Sequence, residues 1–181
     1  MKDLILFGDC KKTLSAFLPK SARMCVTSPP YYGLRDYGGE DKQIGQEDTP
    51  EEFINNLVEV FREVRDILTD DGTLWVNLGD SYYNYRPGKG QSYPKQTVSK
   101  TKQDLPDKCA KRANKLEGLK EKDLIGIPWL FAFAMRADGW YLRQDIIWHK
   151  PNPMPESVRD RCTKSHEYIF LFSKNKKYFY D

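Results

Sequence analysis

The residues whose types and spacing suit chemistry sit together at Ser28, Pro29, Pro30 and Tyr31, directly after the apolar run Met24-Cys25-Val26. That run reads as the end of a short buried strand. Neither proline can donate a ladder hydrogen bond, so strand pairing must stop there. Ser28 and Pro29 each precede a proline, which holds both extended. The product is a stiff turn that projects a hydroxyl, free carbonyls and an aromatic ring. Such a turn can accept hydrogen bonds from a ligand and stack against it. It can equally be a proline cap on a strand, with its tyrosines packed as a rim. In open α/β sheets the carboxyl ends of the strands are where ligands bind.

The elements that must position this turn follow from hydrophobic periodicity. Leu4 to Phe7 reads as a first strand ended by Gly8-Asp9-Cys10, and a helix follows from about Lys11 to Leu18, before Pro19. Asp9 either caps that helix or offers its carboxylate to a ligand at the strand's end. Tyr31 to Asp48 is a glycine-rich polar loop, in which Arg35 is either a solvated side chain or a phosphate contact. Thr49-Pro50-Glu51-Glu52 is a helix start, with Thr49 as N-cap, Pro50 at the first position and Glu52 completing a capping box. Apolar residues recur at helical spacing from Phe53 to Leu68, and the helix is expected to end near Asp70-Asp71-Gly72. Thr73 to Leu78 reads as the next strand, and Asp80 just beyond it is expected to stabilise a loop. A long helix between two strands favours parallel pairing in a doubly wound sheet. Trp129 to Arg136 reads as a helix apolar nearly all round, hence buried, with Gly139 ending it. Trp140 to Trp148 and His166 to Ser173 read as the last strands, antiparallel to each other, with Arg143 and Asp145 on one side. His149 and His166 read as structural histidines.

At 181 residues the chain suits a single domain, residues 1–181, with a real core. Its 13% aromatic content argues against disorder despite 30% charged residues. No apolar run reaches the roughly 18 residues of a membrane span. Met1 to Phe7 leads straight into a strand-like segment rather than a signal peptide, so a cytoplasmic protein without membrane contact is expected. Cys10, Cys25, Cys109 and Cys162 lack C-x-x-C spacing, which predicts free buried thiols and no metal site. The net charge of +3 is uneven: the insertion 84–122 holds eleven Lys or Arg against four acids. That insertion is either a solvated loop or a polyanion contact. The second is favoured, because phosphate neutralisation drives non-specific nucleic-acid affinity.

The stretch Thr27-Ser28-Pro29-Pro30-Tyr31-Tyr32-Gly33-Leu34-Arg35-Asp36-Tyr37 resembles the catalytic loop of the amino-methylating DNA methyltransferases, Asp/Ser/Asn-Pro-Pro-Tyr/Phe/Trp. The series from Gly139-Trp140-Tyr141-Leu142-Arg143 through His149-Lys150-Pro151-Asn152-Pro153 to His166-Glu167-Tyr168 and Ser173-Lys174 also resembles that family, especially its phage and prophage members. The resemblance covers nearly the whole chain outside the insertion. It implies an α/β, three-layer Rossmann-like fold dependent on S-adenosylmethionine, with a mixed sheet and a C-terminal antiparallel hairpin. It implies Ser28, Pro29, Pro30 and Tyr31 as the catalytic loop, and Asp9 with neighbouring Cys10 as cofactor contacts. The resemblance implies double-stranded DNA with a flipped base as the partner, as in restriction–modification systems. On that reading Tyr32 and Arg35 beside the loop and Lys89, Lys111 and Arg112 of the basic insertion are the candidate DNA contacts.

The chemistry so implied is the methylation of an exocyclic amine. Its lone pair is delocalised into the ring, so acceptors must hold the amine hydrogens while the nitrogen becomes pyramidal. Ser28 Oγ and the Pro29 carbonyl are the candidates, and the catalysis is positioning and electrostatics. The base must leave the duplex, and Tyr31 is the platform that replaces its stacking, worth about 1–3 kcal/mol. Serine at position 28 points to cytosine N4, with adenine N6 as the alternative and a non-catalytic DNA-binding remnant as a third reading. The family's Phe-x-Gly-x-Gly cofactor turn has no counterpart here. In relatives of permuted motif order that turn lies near the C-terminus. The expectation is therefore an N-terminal part with an incomplete sheet, binding S-adenosylmethionine weakly alone or taking the turn from a second chain.

Overall fold

In the computed structural model, which describes residues 5–34, 43–83 and 116–181, the elements are α1 (Cys10–Leu14), β1 (Ala22–Thr27), α2 (Pro50–Ile67), β2 (Leu68–Leu78), α3 (Ile127–Ala137), β3 (Tyr141–His149) and β4 (His166–Ser173). The start of α2 is as its residues predict: the Glu52 N–H donates to Thr49 Oγ1 at 3.1 Å and Pro50 opens the first turn. Phe53, Ile54, Leu57, Val58, Phe61 and Val64 then form one buried stripe. Each such side chain contributes roughly 1.5–3 kcal/mol by leaving water. The stripe packs on Leu74, Val76 and Leu78 of β2 and on Phe170 and Phe172 of β4. Helix α3 joins the same layer, with Phe131 set against both Phe61 and Phe172.

The four strands form one mixed sheet in the order β1-β2-β4-β3. β1 runs parallel to β2, while β4 is antiparallel to both neighbours. Thr27 lies beside Val76, Leu78 beside Tyr168 and His149 beside His166. The loops after β1 and β2 and the connection from β3 to β4 therefore leave from a single edge. The helices described all lie on one face. The C-terminal tail crosses the other, where Tyr180 stacks on Trp75 with centroids 6.5 Å apart.

Several boundaries differ from the sequence expectation. Residues 5–7 form no strand and Phe7 is 90% exposed, since among the described residues no neighbouring strand satisfies their backbone. α1 stops at Leu14 rather than Leu18. β1 is an edge strand, not a buried one: Cys25 packs on the core while Met24 and Val26 are exposed on the opposite face. α2 ends at Ile67, and β2 begins at Leu68, five residues before the expected Thr73. A break in register between Ala22 and Met24 absorbs the extra residues of β2. α3 exposes Leu130 and Phe133, so its apolar circumference is only partly covered. Arg143 is the extra residue of a bulge in β3, which breaks the alternation expected to align it with Asp145. Arg143 instead lies over the Tyr178 ring of the tail, while Asp145 sits opposite Phe170. Cys10, Cys25 and Cys162 are free as expected, but two of them are exposed and none is fully buried.

The basic insertion leaves and rejoins the fold through a narrow neck. The Tyr83 N–H donates to the Asp123 carbonyl and the Lys122 N–H to the Tyr83 carbonyl, each at 2.8 Å, and Tyr82 bridges to Leu124. Asp80 locks this neck to α3. Its Oδ1 accepts the N–H groups of Ser81 at 2.9 Å, Gly126 at 3.0 Å and Ile127 at 2.9 Å. The loop-stabilising role expected for Asp80 is thus explicit: it satisfies donors at a helix start that has no side-chain cap of its own.

Candidate active site

The Ser28–Tyr31 turn stands at the carboxyl edge of β1, where the prolines end the strand. Ser28 and Pro30 are exposed, and Pro29 and Tyr31 are half-buried. The Tyr31 hydroxyl lies 2.8 Å from Asn77 Oδ1 and 3.0 Å from Glu167 Oε2. Ser28 Oγ approaches the same Asn77 oxygen at 3.4 Å. The Asn77 Nδ2 donates to the Tyr168 carbonyl at 3.2 Å, which turns the amide's oxygen towards the turn. Glu167 in turn pairs with Lys150. Burial alone would raise the Glu167 carboxyl, but hydrogen bonds from Lys150, Tyr31 and Asn77 outweigh it and hold the group ionised, below the usual carboxylate range. Burial foremost pushes the Tyr31 hydroxyl up to about 12, aided by the Glu167 charge and opposed by Ser28, so the phenol keeps its proton.

The ring of Tyr31 is seated by the absence of a side chain at Gly79. A Cβ built there would stand 2.4 Å from Tyr31 Cε2 and 2.8 Å from Cδ2. The requirement at Gly79 is therefore space, not backbone freedom. Gly79→Ala is expected to push the ring off its seat with little change in melting temperature; the NMR signal of a labelled Tyr31, taken beside thermal melts, checks this.

Neighbouring groups fix the rest of the loop. Tyr32 packs its ring on Phe53 with centroids 5.4 Å apart, and Ser81 Oγ donates to its carbonyl at 3.0 Å. Burial, then the charges of Glu51, Glu47, Asp48 and Glu52, push the Tyr32 hydroxyl up to about 12. In this acidic, half-buried setting Tyr32 ties the loop to α2 through Phe53. The connection from β3 to β4 leans over the same edge, where Arg161 stacks 3.9 Å above the Tyr82 ring and Asp160 pairs with Lys122 at 2.5 Å.

Asp9 is exposed and its Oδ1 accepts the Lys12 N–H at 3.0 Å, so the capping alternative is realised. Among the described residues its Oδ2 has no hydrogen-bond partner, and Cys10 beside it is exposed. Arg35, Lys89, Lys111 and Arg112 lie outside the described residues. Among the described residues no group of His, Cys, Asp and Glu is arranged to hold a metal, and no helix is long and apolar enough to cross a membrane. Sequence reasoning missed Asn77, Glu167 and Lys150. The available signal was a polar residue inside an otherwise apolar strand (Asn77) and an acid at the start of another (Glu167).

A protein-family model described as DNA methylase matches residues 22–181. The chain is 52% identical over 174 residues to the Type II methyltransferase M.Cfr9I of Citrobacter freundii, covering 96% of this chain and 55% of that protein. It is 52% identical over 182 residues to the Type II methyltransferase M.SmaI of Serratia marcescens, covering 98% of this chain and 58% of that one. The chain thus spans little more than half the length of the curated relatives it matches. Among solved structures, the cytosine-N4-specific PvuII DNA methyltransferase superposes with a TM-score of 0.62 at 17% identity, over 94% of this chain and 49% of that one. A putative DNA modification methylase from Thermus thermophilus, solved with S-adenosyl-L-methionine, superposes with a TM-score of 0.61 at 22% identity, over 96% and 54%. At such identities the likeness establishes the fold, a Rossmann-like α/β sheet.

Proposed function

Because this chain belongs to the DNA methylase family of N4- and N6-amino-methylating enzymes, we propose that it transfers a methyl group from S-adenosylmethionine to an exocyclic amine of double-stranded DNA, with cytosine N4 as the target. The observation that carries the reading is the exposed Ser28 hydroxyl beside an anchored Tyr31 at the sheet's carboxyl edge. Ser28 Oγ and the Pro29 carbonyl accept hydrogen bonds from the two amine hydrogens, favouring a pyramidal nitrogen with its lone pair out of the ring. The one amine proton displaced on methylation passes to water at the exposed Ser28. Pro30 keeps the turn stiff, so this geometry costs no reorganisation during reaction. The face of Tyr31 receives a base that has left the duplex. S-adenosylmethionine, when bound, supplies a methyl group electrophilic enough that no covalent enzyme intermediate is needed. Asp9, with Oδ2 open, and Cys10 are its contacts on this chain. A second chain bearing the glycine-rich turn is the proposed protein partner.

Serine at position 28 supports cytosine N4. The proposed domain reading is one catalytic unit, residues 1–181, whose insertion 84–122 neutralises DNA phosphates through Lys89, Lys111 and Arg112, with Arg35 from the loop after β1. The test is direct. The purified chain, made with and without the reading frame that follows it, is incubated with labelled S-adenosylmethionine and genomic DNA, which is then digested to nucleosides. Labelled N4-methylcytosine is expected. N6-methyladenine would move the target, and no labelled nucleoside from either preparation would contradict the reading.

A further inference from the structure

The polar contacts at the carboxyl edge follow the spatial order of the strands. Tyr31 belongs to the turn after β1, Asn77 lies on β2, Glu167 on β4 and Lys150 directly after β3, and the sheet order is β1-β2-β4-β3. One chain of contacts therefore crosses the whole sheet, from Lys150 at the far edge through Glu167 to Tyr31 and Asn77. Asn77 and Glu167 share the face opposite α2 and α3, because Asn77 pairs with Ile169, two residues from Glu167. Lys150 is held at that level by its own N–H, which donates to the Ser165 carbonyl at 2.7 Å. A surface ion pair contributes little to stability. Its value here is geometric: an ionised carboxylate is fixed 3.0 Å from the Tyr31 hydroxyl.

We propose that Glu167, Lys150 and Asn77 are positioning residues that set the angle of the Tyr31 ring through its hydroxyl, an inference that rests on reading Ser28–Tyr31 as a base-methylating loop. Three consequences follow from the hydrogen inventory. The single Tyr31 proton is committed to Asn77 Oδ1 and Glu167 Oε2, so the ring serves a bound base by its face and not as a hydrogen-bond donor. The Asn77 oxygen and the Tyr31 hydroxyl oxygen are both acceptors within reach of the Ser28 hydroxyl proton, which leaves the Ser28 lone pairs for the substrate amine. Gly79 supplies the space in which the ring lies, and the hydroxyl contacts fix its angle within that space.

The test reads the hydroxyl itself, by carbon-13 NMR of the full chain carrying tyrosine labelled at Cζ. The Tyr31 resonance is the one absent from Tyr31→Phe. Glu167→Ala and Lys150→Met are expected to shift it, and Glu167→Gln, which keeps an acceptor oxygen, to restore it in large part. A Tyr31 line unmoved by Glu167→Ala overturns the proposal. In the methyl-transfer assay Glu167→Ala is expected to lower kcat about tenfold with KM for DNA unchanged, and to have less than about a twofold effect in a Tyr31→Phe background, because the two act as one unit. An equal loss in both backgrounds overturns it too, since Glu167 would then act by another route. If the resonance moves as expected while the wild-type chain, made with and without the reading frame that follows it, methylates nothing, the positioning contacts stand and the methyltransferase reading falls.

Discussion

Tyr31→Ala is expected to lower methyl transfer a hundredfold or more while leaving the fold intact. The estimate has two parts. Stacking of a nucleobase on an aromatic side chain is worth about 1–3 kcal/mol, which alone is roughly a five- to hundredfold effect. The substitution also removes the hydroxyl that ties the proline turn to Asn77 and Glu167, so Ser28 loses a fixed neighbour. Loss of orientation at a reacting centre commonly costs as much as the loss of a contact. The ring is only half-buried and lies at the edge of the core, so the melting temperature should move by no more than a few degrees. Initial rates with labelled S-adenosylmethionine, taken beside thermal melts, check both halves.

Asp80→Ala carries the largest expected effect on stability, a loss of about 2–3 kcal/mol. One carboxylate oxygen satisfies three backbone N–H groups, of Ser81, Gly126 and Ile127. Alanine would leave these donors at a half-buried helix start with only water to meet them, at about 1 kcal/mol or more each. The carboxylate's favourable placement at the N-terminus of α3 would also be lost. For a chain of this size the melting temperature should fall by about 5–10 °C. Asp80→Asn keeps an oxygen in the same place and should recover most of the loss; a melt as low as that of the alanine variant would refute the account of Asp80.

The parts of the fold legible in the sequence are those with strong local signals. Thr49-Pro50-Glu51-Glu52 and the stripe from Phe53 to Val64 fix α2, because capping and periodicity agree there. The proline turn after β1 was equally plain, since Pro29 and Pro30 allow little else. What the sequence hid was set by tertiary contacts. The apolar run before Gly8 looks like a strand, but a strand exists only with a neighbour, and residues 5–7 have none among the described residues. The early start of β2 at Leu68 depends on a register break opposite Ala22, which no propensity encodes. The bulge at Arg143 likewise reverses an alternation that looked regular. At the candidate site, Ser28 and Tyr31 are proposed from the loop's own residues. Their supports, Asn77, Glu167 and Lys150, are 46 or more residues from Tyr31 in the chain and meet it only because β1, β2, β4 and β3 lie side by side. Asp9 shows the opposite case, where local sequence correctly offered a cap, and the structure realises it.

The central proposal is that the Ser28 hydroxyl and the Pro29 carbonyl, with the face of Tyr31, hold an extruded cytosine by its exocyclic amine. The measurement that bears on it most directly is nucleoside mass spectrometry of DNA from cells without endogenous methylation that produce the wild-type chain, Ser28→Ala or Tyr31→Ala, each with the reading frame that follows. N4-methylcytosine in the wild-type DNA, and its loss with either substitution in proteins that still melt cooperatively, is the predicted result. A methyl mark that persists at wild-type level when Ser28 or Tyr31 is replaced would contradict the claim.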